Sequence, residues 1–129
     1  MTIERIFPPG APEPRGPYSP AVRAGDTIYV AGQIPIDPIT GQIVLGDVKT
    51  ETRQVLTNIR SILSGCGATM ADVVRCGVYL INAGDFQAMN EVYAEFFGDS
   101  KPARTTIIVA ALPLKDAKVE IDAIAYKPR

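Results

Sequence analysis

Histidine and tryptophan are absent from the 129 residues, and cysteine occurs twice. Without an imidazole, the Ser-His and Cys-His nucleophile systems and the usual zinc sites are excluded together. Any catalysis must use Glu, Asp, Tyr, Arg, Lys or backbone groups. The two thiols, Cys66 and Cys76, fit no metal-binding or redox spacing and are expected to be buried and structural. Long apolar runs are missing too: no stretch approaches the roughly 18 residues a membrane span needs, and the start MTIERIFPPG carries no signal-peptide core. A cytoplasmic protein is expected. Charge of one sign is also lacking. The 13 basic and 14 acidic residues give a formal charge of −1 and are scattered singly, so neither a membrane surface nor a nucleic acid is an expected partner. What is present is ordinary for a soluble domain, with 47% hydrophobic and 21% charged residues. One domain over residues 1–129, folding without metal, cofactor or disulfide, is the expectation.

Six of the 11 prolines fall in the first 20 residues, and PPGAPEPRGPYSP cannot donate a regular hydrogen-bond ladder. It reads as an extended surface segment, preceded by a short strand at Glu4–Phe7. Ala21–Ala24 and Thr27–Ala31 flank Gly25-Asp26 as a hairpin, after which Gly32 and Gln33 leave the strand for a turn-rich loop. Asp47 caps a helix reaching Ser64, with Val55, Leu56, Ile59, Ile62 and Leu63 on one face and Gly65 and Gly67 at its end. Asp72–Leu80 is an interior strand with Val74, Cys76, Val78 and Leu80 on one side, and Val73, Arg75, Gly77 and Tyr79 on the other. Asp85 caps a second helix to Phe97, whose stripe of Phe86, Met89, Tyr93, Phe96 and Phe97 reads as core. Asn90 shares that face, so its amide needs partners inside. Strand-like runs follow at Lys101–Pro113 and Lys118–Tyr126.

This order gives an α+β fold with one mixed sheet and two helices packed on one face. The other face, crossed by Ile108 and Ile124, has no helix to cover it and calls for a partner subunit.

The last two strands each aim one charge at a chosen face, Arg104 at the mouth of the first and Glu120 inside the second. A guanidinium grips a planar carboxylate through two hydrogen bonds, and a nearby carboxylate can orient and partly deprotonate water. These are the parts of a small hydrolase, although an Arg and a Glu on strands also serve as an exposed ion pair.

The runs PAR…VAALP and VEIDAIA, with GPYSPAV, AGQIPIDPITG and FQAMNEVYAEFF upstream, resemble the RidA/YjgF family of imine deaminases over nearly the whole chain and in the family's order. The resemblance implies a chorismate-mutase-like fold and a homotrimer with its sites in clefts between subunits. It implies that Arg104 binds a substrate carboxylate and Glu120 holds the attacking water. Tyr18, the backbone of Gly32 and of Thr106, and Asn90 would enclose the ligand, though Tyr18 packed on the domain edge and Asn90 in a structural hydrogen bond remain open. The implied ligand is a small 2-imino acid hydrolysed to a 2-oxo acid and ammonia. Many members have cysteine at the position of Thr106, and some have serine at that of Ala31. A non-catalytic carboxylate-binding trimer, a ribonuclease or translation inhibitor, and a holdase stay open beside it.

Overall fold

In the computed structural model, which describes residues 2–129, the chain runs β1 (Ile3–Ile6), β2 (Ala21–Ala24), β3 (Thr27–Gln33), α1 (Val48–Gly65), β4 (Val73–Leu80), α2 (Phe86–Phe97), β5 (Ala103–Ile108) and β6 (Val119–Tyr126). The six strands form one sheet in the order β1-β2-β3-β6-β4-β5. β4 and β5 pair in parallel and every other pair is antiparallel, so the sheet is mixed as the element order requires. No helix of the described residues is long and apolar enough to cross a membrane.

The last strand in sequence is central in the sheet, and its alternation divides the molecule. Val119, Ile121, Ala123 and Ala125 are buried on the helix side. Glu120, Asp122, Ile124 and Tyr126 point to the other face. α1 packs across β6 and β3 through Val55, Leu56, Ile59, Ile62 and Leu63, all fully buried. Its start is set by the Asp47 carboxylate, which accepts the Thr50 N–H at 2.8 Å. Its end is set by Gly67 in the left-handed region at φ 79°. Arg23, also buried, donates to the carbonyls of Gly25, Lys127 and Cys66, so its charge is met by three backbone dipoles, one of them at the end of α1.

Several boundaries differ from the sequence reading. β1 starts one residue earlier, and β5 ends at Ile108, leaving Val109–Leu112 irregular. β3 continues through Gly32 and Gln33, because a bulge places Ala31 and Gly32 together opposite Asp122. A second register shift, at Val74, reverses the alternation within β4: Val73 joins Cys76, Val78 and Leu80 on the buried side, while Val74 turns outward. Asp85 makes no side-chain cap, since a short 3-10 turn over Ala83–Asp85 precedes α2 and the Asn82 side chain takes the Gly84 N–H at 2.8 Å. Pairing with Tyr79 puts Ile107, rather than Ile108, on the helix-free face. There Tyr29, Ile107 and Tyr126 each stay about half exposed.

The Glu51 carboxylate is fully buried at the start of α1. It accepts the Lys118 N–H at 2.7 Å, the Lys118 ammonium at 3.2 Å and the Gly46 N–H at 3.3 Å. Removing it leaves three part-buried donors without their acceptor and a void in the first turn of α1, so Glu51→Ala should lower folding stability by about 3 kcal/mol. Urea unfolding measures this, and a loss below about 1 kcal/mol would show the contact to be dispensable.

Candidate active site

On the helix-free face, Glu120 lies against β3. A Cβ at position 32 would collide with its carboxylate oxygen and stand 3.1 Å from its Cδ, so any other residue here would force the carboxylate to move. The neighbouring Asp122 is treated differently. It accepts the Gly77 N–H at 2.8 Å and the Tyr79 hydroxyl at 2.8 Å, and a Cβ on Gly77 would fall 2.7 Å from its Oδ1. The bond to Asp122 and burial hold the Tyr79 hydroxyl above its ordinary pKa. Glu120 accepts no hydrogen bond from the described residues. Burial, followed by the adjacent charge of Asp122, pushes its carboxyl above the ordinary range. One carboxylate is thus tied down and the other is free to take a proton.

Glu120 opens onto a cavity of about 440 Å³ lined also by Arg15, Tyr18, Ala31, Gly32, Ile34, Pro113 and Leu114. The Tyr18 ring is brought in by the proline segment, where Tyr18 N–H donates to the Gly16 carbonyl and the Tyr18 hydroxyl accepts the Arg15 N–H at 3.2 Å. Tyr18 stays half exposed, as a cavity wall does.

Arg104 lies elsewhere. It pairs with Cys76 across β4, and its guanidinium covers the ring of Tyr93 at 4.7 Å and that of Phe86 at 5.7 Å. Among the described residues it has no carboxylate within salt-bridge distance. Thr106 follows on the same face of β5, opposite Val78. Asn90 shares the α2 face with Phe86 and Tyr93 by helical spacing. Its carbonyl oxygen and the Tyr93 hydroxyl are both buried without a hydrogen-bond partner among the described residues. The expectation of internal partners for that carbonyl is therefore unmet. Burial holds the Tyr93 hydroxyl well above its usual pKa and pushes the Cys76 thiol up to about 11, which makes Cys76 inert as a nucleophile.

The chain therefore gathers Glu120, Tyr18 and Gly32 at one place, and Arg104, Thr106 and Asn90 at another. β4 lies between their strands, a separation of roughly 9.5 Å, and their side chains leave opposite faces of the sheet. Sequence reasoning missed Arg15, Asp122 and the platform role of Phe86, which it assigned to the core although the ring is 38% exposed. A glycine inside β4 was the available signal for Asp122, since an interior strand glycine marks the close approach of another group.

A mixed sheet with two helices on one face, and a half-buried carboxylate over a cavity on the other, defines a small α+β protein with a built polar site. The chain belongs to the endoribonuclease L-PSP family, which is the RidA/YjgF family; the family's sequence profile matches residues 9–127. A RutC family protein of Pyrococcus horikoshii is 57% identical over 124 residues, which is 96% of this chain and 98% of that one. A protein of Dermatophagoides farinae named 2-iminobutanoate/2-iminopropanoate deaminase is 44% identical over 125 residues, covering 96% and 97%. The crystal structure of E. coli TdcF with bound serine superposes with a TM-score of 0.90 at 37% identity, covering 96% and 98%.

The raised Glu120 carboxyl has a defined consequence for stability. A group with a raised folded pKa contributes stability that is fully present below its unfolded pKa, about 4.3 for Glu, and is lost as pH rises through the folded value. Glu120→Gln should therefore gain stability relative to wild type between pH 4 and pH 7. Denaturation curves at both pH values test this, and an unchanged difference would mean that Glu120 is not desolvated.

Proposed function

We propose that this protein hydrolyses 2-imino acids, the tautomers of enamines such as 2-aminoacrylate, to 2-oxo acids and ammonia, acting in the cytoplasm as a 2-iminobutanoate/2-iminopropanoate deaminase. The observation that carries the reading is the Glu120 carboxyl, half-buried, raised in pKa, without a donor of its own and held open to a cavity by Gly32. The deaminase name of the mite relative supports it.

In this mechanism Glu120 orients a water whose oxygen adds to the imine carbon while the C=N electron pair moves to nitrogen. Glu120 takes the water's proton and passes it to that nitrogen. As the C–N bond breaks, the carboxylate takes the remaining proton from the hydroxyl, whose oxygen becomes the carbonyl, and delivers it to the departing nitrogen, so imine and water are converted to oxo acid and ammonia. An iminium carbon is already electrophilic, and orientation with a weak base suffices without a cofactor.

Arg104 supplies the carboxylate grip, and because it faces away from Glu120 within one chain, it comes from a second copy. That copy also brings Asn90, with its unpaired carbonyl, and the backbone of Thr106. The assembly we propose is a homotrimer closed through the half-exposed apolar residues of the helix-free face, with its sites between subunits. Threonine at 106 keeps the strand and its amide in place, so the difference from cysteine leaves the site intact.

One observation favours a second reading, capture of small carboxylates without turnover: the TdcF neighbour is described with bound serine, which carries a carboxylate. The family description names an endoribonuclease, but a net charge of −1 without a basic stripe argues against an RNA surface.

A PLP enzyme generating 2-aminoacrylate in the presence of the protein should release 2-oxo acid faster than without it, and no acceleration would leave the carboxylate-capture reading standing. Glu120→Gln should lose about 100-fold or more of that acceleration. Arg104→Ala should weaken 2-oxobutanoate binding by about 2 to 4 kcal/mol in calorimetry, with Arg104→Lys between it and wild type. For the assembly, sedimentation equilibrium at micromolar concentration should give three times the chain mass of 13.8 kDa, and a stable monomer would remove the shared site.

A further inference from the structure

The cavity beside Glu120 contains a cation that this mechanism leaves unused. Arg15 lines it together with Tyr18, Gly32 and Glu120, yet has no carboxylate within salt-bridge distance among the described residues. Its position is set by the chain rather than left to a floppy loop. Pro12, Pro14 and Pro17 fix φ on both sides of it, and its N–H is donated to the Tyr18 hydroxyl at 3.2 Å. Glu120 and Arg15 line one cavity, of about 440 Å³ in the single chain. The remaining walls, Ile34, Pro113 and Leu114, are apolar and offer no hydrogen-bonding side chain.

We propose that Arg15 is a specificity-determining residue that grips a second, distal carboxylate, so that the site extends from the simple monocarboxylates to imino and oxo diacids and binds the diacids more tightly. This rests on the reading above, in which Arg104 of a second copy takes the α-carboxylate and Glu120 faces the imine carbon. The distal carboxylate then extends toward the proline segment, where the planar fork of Arg15 matches it bidentately. A lone anion on the ligand meets a cation with no internal partner to give up, so binding breaks no ion pair within the chain.

Calorimetric titration of 2-oxoglutarate and of 2-oxobutanoate into wild type, Arg15→Gln and Arg15→Glu tests this. Arg15 is exposed, so neither change threatens the fold. Wild type should bind the diacid at least tenfold more tightly than the monoacid; Arg15→Gln should bring that ratio close to one, and Arg15→Glu should invert it. Equal affinities in wild type, no binding of 2-oxoglutarate, or a ratio that survives in Arg15→Gln overturns the proposal. The ratio is read from binding alone, so a protein that prefers the diacid but hydrolyses no imine would count against the deaminase reading and not against Arg15.

Discussion

The fold's two-sidedness depends on the phase of one central strand, and a buried carboxylate anchors that phase. Glu51, in the first turn of α1, receives both the backbone N–H and the ammonium of Lys118 and joins them to Gly46 at the end of the preceding loop. A carboxylate removed from water needs all of these donors, which gives the contact one admissible register. Lys118 is the residue before β6, so the same contact decides which residues of β6 meet the helices. A slip by one would drive Glu120 and Asp122 into the layer of Leu56 and Ile59 and expose Val119 and Ile121. The cation of this pair sits at the rim, since the Lys118 side chain is 42% exposed.

The elements legible in the sequence are those with a strong local signal. The 3.6-residue period of α1, its Asp47 cap and its glycine stop required nothing beyond their own segment. The mixed sheet followed from the order of elements. What could not be read was where a strand departs from simple alternation. The bulges at Ala31-Gly32 and at Val74 are decided by the partner strand, so the facing of Val73 and Val74 came out inverted. At the candidate site, the sequence singled out Glu120 and Gly32 separately, but their mutual contact was not legible, because they are remote in sequence and adjacent only through the β3–β6 pairing. Phe86 looked like core because helical spacing shows which face a residue shares and not whether a neighbour covers it. Arg15 carried no pattern at all, since a lone cation among prolines becomes informative only once a cavity is placed beside it.

The separation of Arg104 from Glu120 within one chain has a chemical logic. A guanidinium and a carboxylate within contact distance neutralise each other, lowering the carboxylate's basicity and occupying the fork that a ligand would use. The sheet prevents this by directing the two through opposite faces with β4 between them. Each is then kept by a different device: Arg104 on the π faces of Tyr93 and Phe86, which hold a cation without consuming its donors, and Glu120 against a glycine backbone beside an Asp122 already committed to Gly77 and Tyr79. In the proposed assembly the two meet only across a subunit boundary, with the ligand's carboxylate and reacting carbon between them. Folding then leaves both groups unspent, and the charge pair forms through the substrate.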